Sequence, residues 1–64
     1  MYRFYVSKEQ ITDDKVYIDG TDVNHIKNVL RLEKGDWIIA CDKEGTDYVS
    51  RISDISSERV VLNI

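Results

Sequence analysis

Apolar positions along most of the chain either alternate with polar ones or form short runs, and this pattern predicts β-strands. Arg3-Phe4-Tyr5-Val6 and Lys15-Val16-Tyr17-Ile18 are rich in aromatic and β-branched residues, which strands favour. Trp37 to Cys41 is a near-continuous apolar run, which is typical of a strand with both faces partly covered. Alternation from Asp47 to Ile55 and the apolar segment from Arg59 to Ile64 complete five predicted strands.

Polar or glycine-containing segments separate these strands. Residues 7–15 predict a loop, in which Glu9-Gln10-Ile11 can form a helical turn. Asp19-Gly20, Asp42-Lys43-Glu44-Gly45 and Ser56-Ser57-Glu58 have the composition of turns. The second of these turns predicts a hairpin, because its glycine can adopt the positive φ that hairpin turns require.

One segment has a helical period instead of a strand period. Val23, Ile26 and Leu30 follow one another at i, i+3 and i+7, which places them on one face of a helix, and Val29 widens that face. Together with the strands, this helix predicts a mainly β domain: a small β-barrel of about five strands with one short α-helix. Closure into a barrel would protect the edge strands that a flat sheet exposes.

The predicted helix has recognisable ends. Thr21 or Asp22 can cap its start, because a short side-chain oxygen there accepts a hydrogen bond from an unpaired backbone N–H. The helix is short, about two turns, and ends before Gly35. His25 lies near the start and is predicted to pack or cap there, since a single histidine without a positioned partner makes a poor catalytic site.

Length and composition limit what the chain can be. Sixty-four residues form one domain at most, with a small core, which favours a binding module or a piece of a larger protein over an enzyme. The chain ends at Ile64 directly on a β-rich segment, so we expect it to be truncated. It has no apolar run of membrane-spanning or signal-peptide length, and a lone Cys41 excludes an internal disulfide. The expected location is the cytoplasm.

The charges are unevenly distributed along the chain. A net charge of −3 argues against strong, indiscriminate binding to nucleic acid, but it does not exclude a local basic patch. Lys27 and Arg31 present two cations within one helical turn, and Lys34 extends the row. Arginine can grip phosphate through its planar fork, lysine acts as a point charge, and Asn24 and Asn28 could hydrogen-bond a sugar or a base edge. The alternative is an ordinary solvated helix face.

The aromatic residues have two possible uses. Tyr2, Phe4 and Tyr5 could stack on unpaired bases, as aromatic side chains do in single-strand recognition. Core packing is the stronger prediction for Phe4 and for Trp37. Cys41 lies inside an apolar run and is predicted to be a small buried residue with an inert thiol.

No residue pattern here predicts catalysis or metal binding. Asp42, Glu44 and Asp47 faintly resemble a calcium loop, but they lack the ligand number and spacing of one. The chain has no phosphate-cradling glycine loop, paired-carboxylate motif or nucleophile elbow. We therefore assign no catalytic residue and no metal ligand.

The order of these segments resembles the N-terminal domain of the RsmE family. These bacterial enzymes methylate N3 of a uridine in small-subunit ribosomal RNA, and their N-terminal region is a PUA-like β-barrel that binds RNA. The matching residues are Arg3-Phe4-Tyr5-Val6, Ile18-x-Gly20, His25-Ile26, Val29-Leu30-Arg31, Gly35-Asp36, Gly45, Tyr48 and Ile52. The match covers almost the whole chain.

The resemblance implies that residues 1–64 form a PUA-like RNA-binding domain that positions small-subunit ribosomal RNA. It favours Arg3 and Arg31 as the main RNA contacts, supported by Lys27 and Asn28, with Lys34 extending the cationic row. Family members continue into a knotted SPOUT domain that binds S-adenosylmethionine and forms the dimer. We therefore expect no cofactor in this chain, S-adenosylmethionine in the missing domain, a dimeric parent and a monomeric fragment.

Two other functions remain open on the sequence. The first is a free-standing β-barrel adaptor that docks another protein through an apolar patch, which substitutions at Val29 or Trp37 would disrupt. The second is a structural arm that stabilises the dimer of the parent protein. Either would leave the helix cations without a role in RNA binding.

Overall fold

The computed structural model describes residues 1–64 and contains one sheet and one helix. A single turn of 3₁₀-helix, Lys8–Gln10, follows the first strand. The helix begins with an α-helical turn, α1, at Thr21–Asn24 and continues as a π-helical segment, His25–Val29. The strands are β1 (Tyr2–Tyr5), β2 (Ile11–Thr12), β3 (Lys15–Ile18), β4 (Trp37–Cys41), β5 (Asp47–Ile55) and β6 (Val60–Asn63).

The six strands form one curled half-barrel in the order β1-β4-β5-β6-β3-β2. β1 pairs in parallel with β4, and all other neighbours are antiparallel. The predicted mainly β class with one short helix is confirmed. There are six strands rather than about five because β2, only two residues long, forms within the segment predicted as a loop and pairs with the start of β3.

Strand alternation gives the sheet two distinct faces. The inner face holds the core, a cluster of 11 buried residues that includes Phe4, Ile38 and Leu62. Val23 and Ile26 from the helix belong to the same cluster, so the helix covers the inner face. The opposite, outer face is formed by the alternate residues of each strand and is covered by no other element.

Two predictions of burial were wrong. Trp37, expected in the core, is 50% exposed, because the alternation of β4 sends Ile38 and Ala40 inward and Trp37 outward. Val29, expected to widen the apolar face of the helix, is 60% exposed. Phe4 and Cys41 are buried as predicted, and Leu30 packs against the core from its edge.

The predicted helix cap was also wrong. Gly20 is the N-cap residue, with φ 70° and ψ −145°, and no side chain caps the helix. That backbone conformation is accessible to glycine and strained for other residues, so the sharp turn from β3 requires Gly20 there. Thr21 and Asp22 consequently lie inside the first turn. No helix in the structure is long and apolar enough to span a membrane.

Candidate nucleic-acid interface

Most of the predicted RNA-binding residues lie at the C-terminal end of the helix or in the turn after it, where the helix geometry changes. From His25 onward the backbone follows a π-helix, and the N–H of Leu30 donates to the carbonyl of His25 at 2.8 Å. The N–H of Leu32 then donates to the carbonyl of Ile26 at 2.9 Å. π-Helical turns are rare and occur frequently at functional sites.

Arg31 ends the helix in a left-handed conformation with φ 54°. Glycine usually occupies this position after a helix, because other residues pay a steric cost for positive φ. The chain keeps an arginine here, and its side chain is exposed. Packing does not explain an arginine in this conformation, which motivates the hypothesis that its side chain contacts a ligand.

The segment after Arg31 is fixed to the sheet by hydrogen bonds. The N–H of Gly35 donates to the carbonyl of Ile52 at 2.8 Å, and the Nε of Arg51 donates to the carbonyl of Gly35 at 3.1 Å. Within the turn, the carboxylate of Asp36 accepts a hydrogen bond from the N–H of Glu33 at 2.8 Å. The end of the helix is therefore held at both sides, by Ile26 in the core and by β5.

Four of the five predicted RNA-contact residues lie on this helix end or the turn after it. Lys27 and Arg31 are exposed and form no ion pair. Asn28 is also exposed, and its Nδ2 donates to the side-chain oxygen of Asn24 at 2.7 Å, as expected for residues four apart on a helix. Lys34 lies 3.9 Å from Asp54, a loose and exposed ion pair. Among these four residues, the cations without an ion-pair partner are thus Lys27 and Arg31.

Arg3 lies apart from this group. It alternates with Phe4 along β1, so its side chain lies on the outer face, whereas Phe4 points inward with its ring 6.0 Å from that of His25. The Nη1 of Arg3 donates to Asp47 at 2.9 Å and to the sulfur of Cys41 at 3.4 Å. The carboxylate of Asp47 raises the pKa of Arg3, and burial raises the pKa of the Cys41 thiol. Arg3 is therefore engaged within the protein.

The structure offers no cofactor pocket in this chain. An open depression of about 460 Å³ lies beside β1, β4 and the hairpin. It is lined by Arg3, Tyr5, Cys41, Asp42, Lys43, Gly45 and Asp47. Its arginine is already paired with Asp47, and Asp42 is satisfied by the backbone N–H groups of Glu44 and Thr46. Such a surface lacks the enclosed apolar walls that hold an adenosyl group. No group of three or more acidic, histidine or cysteine side chains is arranged to hold a metal ion.

Two arginine–aromatic pairs on the outer face were not predicted from the sequence. The guanidinium of Arg51 lies 5.5 Å from the ring centroid of Trp37, and that of Arg59 lies 5.3 Å from the ring of Tyr17. No local sequence signal reveals the first pair, because residues 37–41 are apolar on both faces and only the register of β4 turns Trp37 outward. The residue facing it across β4 and β5 is Arg51.

Comparison with known sequences identifies relatives over nearly the whole chain. A family model described as the RNA methyltransferase PUA domain matches residues 18–64. The ribosomal RNA small subunit methyltransferase E of Bacillus subtilis is 33% identical over 63 residues, which cover 94% of this chain and 25% of that protein. Its namesake in Synechocystis is 31% identical over 55 residues, 86% of this chain and 18% of that protein. The chain spans a quarter or less of the length of these curated relatives.

Solved structures show the same fold. A predicted RNA methyltransferase from Thermotoga maritima is 25% identical, with a TM-score of 0.85 over 100% of this chain and 28% of that one. Ribosomal RNA small subunit methyltransferase E from Neisseria gonorrhoeae, bound to S-adenosyl methionine, is 26% identical, with a TM-score of 0.82 over 100% of this chain and 27% of that one. The resemblance stated from the sequence is confirmed. The chain belongs to the RNA methyltransferase PUA domain family, and its relatives by sequence are the RsmE proteins.

Proposed function

We propose that this chain is the RNA-binding domain of an S-adenosylmethionine-dependent methyltransferase that modifies N3 of a uridine in 16S ribosomal RNA. In this role it holds and positions the RNA, while a further domain of the longer protein transfers the methyl group. The observation that supports this most strongly is at the helix end, which is fixed to the sheet. Lys27 and Arg31 lie there as two exposed cations without ion-pair partners. The family of the chain supports RNA as the ligand.

The helix end has complementary groups for an RNA backbone. Arg31 can contact two phosphate oxygens at once through its planar guanidinium, and Lys27 adds a point charge one turn earlier. Asn28 retains a carbonyl oxygen and one amide hydrogen beyond its bond to Asn24, and these can contact a ribose or a base edge. Phosphate contacts of this kind set the register of the RNA without reading its sequence.

Local charge matters here more than net charge. The whole chain carries −3, yet Lys27, Asn28 and Arg31 follow one another without an acidic residue between them. Arg3 supports the proposal less, since Asp47 already neutralises it on the other face of the sheet. We therefore place the main phosphate contacts at the helix end, with Lys34 at its margin.

The remaining roles follow from the parent enzyme. We place S-adenosylmethionine in the further domain, a proposal supported by the Neisseria gonorrhoeae relative, which is bound to S-adenosyl methionine and of which this chain covers 27%. Residues 1–64 act as one PUA-like RNA-binding domain, monomeric on its own, whose parent forms a dimer in the cytoplasm. The partner recognised by this chain is small-subunit ribosomal RNA.

A binding titration with matched variants tests the proposal. The chain is titrated against a labelled fragment of small-subunit ribosomal RNA, with Lys27→Ala/Arg31→Ala compared against Lys8→Ala/Lys43→Ala. Both variants remove two exposed cations, so they have equal net charge, but only the first changes the helix end. The proposal predicts that the first variant weakens binding at least tenfold more than the second. Equal binding by the two variants would remove the helix end from the RNA site.

A protein-docking function has one observation in its favour. Trp37, Val49 and Tyr5 are half exposed or more on the outer face. A docking function predicts that Trp37→Ala abolishes capture of a protein partner while RNA has no effect on that capture. If Lys27→Ala/Arg31→Ala weakens RNA binding and Trp37→Ala does not affect capture of a protein, that result would contradict the docking function.

A further inference from the structure

We infer that Trp37 and Arg51 form a stacking site for an unpaired RNA base on the outer face of the sheet. This site lies on the opposite side of the sheet from the face that the helix covers. The inference rests on the proposed function, and it specifies the ligand further as single-stranded RNA. It adds a contact to the base, whereas the helix end contacts the backbone.

The geometry of the pair favours stacking. Trp37 presents half of its surface to solvent at the start of β4, directly opposite Arg51 on β5. The guanidinium lies 5.5 Å from the indole centroid, and its orientation is fixed because Nε donates to the carbonyl of Gly35. Aromatic rings, indole included, and guanidinium planes are side-chain surfaces on which proteins stack unpaired bases. A preformed pair of this kind loses little entropy when a base joins it.

Arg51 has no acidic partner. It forms no ion pair, in contrast to Arg3 on the same face, which is bound to Asp47. Its charge is therefore available to a phosphate next to the stacked base. The Gly35 carbonyl that orients it belongs to the turn after the helix, so the stacking site and the helix end are joined by the short segment 31–36.

The charge of the outer face favours nucleic acid over an apolar protein surface. Its outward strand residues include three basic side chains, Arg3, Lys15 and Arg51, and two acidic ones, Asp47 and Asp54. Arg59 adds a further cation over the ring of Tyr17 and forms no ion pair. This face is thus basic in a chain whose net charge is −3, and two of its cations without an ion pair, Arg51 and Arg59, lie over aromatic rings. Aromatic rings interleaved with arginines match the alternating bases and phosphates of a single strand.

The chain contains a single tryptophan, which makes a direct test possible. The intrinsic fluorescence of Trp37 is recorded while the chain is titrated with a single-stranded RNA oligonucleotide, and then with the same oligonucleotide annealed to its complement. A fluorescent label on the RNA reports total binding independently through its anisotropy. Stacking predicts that the single strand quenches Trp37 and that the duplex, whose bases are not free, does not.

Variants separate stacking from simple proximity. Trp37→Leu is expected to weaken single-strand binding by about fivefold or more, the usual effect of losing one base–aromatic stack. Trp37→Tyr, which keeps an aromatic ring, should restore most of that loss. Val49→Ala on the same face is the matched control and should bind as the wild type does. Circular dichroism establishes that each variant is folded.

The outcomes distinguish this inference from the proposed function. If labelled RNA binds while Trp37 emission stays constant and Trp37→Leu binds normally, the stacking site is wrong and the helix end remains the RNA site. That result would favour a protein partner over RNA as the ligand of the outer face. If labelled RNA does not bind at all, the stacking site and the proposed function are both overturned.

Discussion

Arg31 has a strained backbone conformation that the packing of its side chain does not explain. Its backbone has φ 54°, a conformation that costs a non-glycine residue about 1 kcal/mol or more, and its side chain is exposed. Glycine would relieve that cost at no loss of packing. The arginine is explained if its side chain contacts a ligand, and this sets up a test in which stability and binding change in opposite directions.

Arg31→Gly should raise the free energy of unfolding by up to about 1 kcal/mol, because it removes backbone strain. The same change should weaken RNA binding several-fold, because it removes a phosphate contact. Urea denaturation and RNA titration of one preparation measure both. Asp13→Gly is the matched control, since Asp13 has φ 53° in a turn away from the helix and should gain stability without losing affinity. Loss of both stability and binding in Arg31→Gly would show that Arg31 is a structural residue.

At single positions, the sequence could predict which helix side chains lie together better than which face of the sheet a side chain occupies. Lys27, Asn28 and Arg31 were identified from spacing and resemblance, and they lie together on the exposed helix end. Trp37 was misplaced because hydrophobicity says that a residue prefers burial, whereas only the register of β4 decides which face it occupies. The left-handed backbone of Arg31 could not be predicted, because nothing but a glycine or asparagine signals it in a sequence.

The helix is the element that brings the candidate RNA-binding side chains together. Its two inward residues, Val23 and Ile26, join the sheet core, and its outward residues carry the cations. The π-helical segment shifts residues after His25 relative to a regular α-helix, and this is why Val29 faces solvent although its spacing placed it near the apolar face. Strands were easier to predict: 15–18, 37–41 and 47–55 have the predicted bounds, since alternation and turn residues mark them clearly.

Helix docking should depend on Ile26 and not on Val29. Ile26→Ala is expected to cost about 2–5 kcal/mol, because Ile26 is fully buried and the cavity left behind cannot be filled easily. Val29→Ala should change stability by less than about 0.5 kcal/mol, since Val29 is exposed. Urea denaturation of the two variants measures the difference. A cost for Val29→Ala as large as that for Ile26→Ala would mean that the helix packs through a different face.

The hairpin between β4 and β5 should make stability sensitive to acid through Asp42. Its carboxylate accepts hydrogen bonds from the N–H groups of Thr46 and Glu44, both at 2.9 Å, and these lower its pKa below the ordinary value of 3.8. A depressed pKa in the folded state means that the unfolded chain binds the proton more readily. The contribution of Asp42 is therefore complete above pH 3.8 and is lost as the pH falls through the folded pKa.

Asp42→Asn provides the comparison, because asparagine keeps an acceptor oxygen but does not titrate. The wild type should be more stable than Asp42→Asn near neutral pH, and the difference should shrink as the pH falls below 3.8. Thermal denaturation of both proteins between pH 2 and 7 measures this difference in stability. A difference that stays constant over this range would show that the charge of Asp42 does not stabilise the hairpin.

At the scale of the whole molecule, the half-barrel places an exposed cationic helix end on one side and an arginine–aromatic surface on the other. The pattern of apolar residues and the resemblance to the RsmE family were enough to predict the fold. The observed strands confirm the mainly β class, and the relatives confirm the resemblance. The division of the predicted RNA residues was not foreseeable. Arg3 lies on the face opposite the helix because it alternates with the buried Phe4 along β1, and only the folded sheet shows that the helix packs on the face of Phe4.

The salt dependence of RNA binding tests the central claim most directly. Affinity for single-stranded RNA is measured by anisotropy between about 50 and 200 mM salt for the wild type, Lys27→Ala/Arg31→Ala and Lys8→Ala/Lys43→Ala. Each phosphate contact adds about 0.7 to the slope of log affinity against log salt, so losing two contacts at the helix end should reduce the slope by about 1.4. The second variant should keep the wild-type slope. Identical slopes for all three proteins would show that the helix end does not contact RNA phosphates.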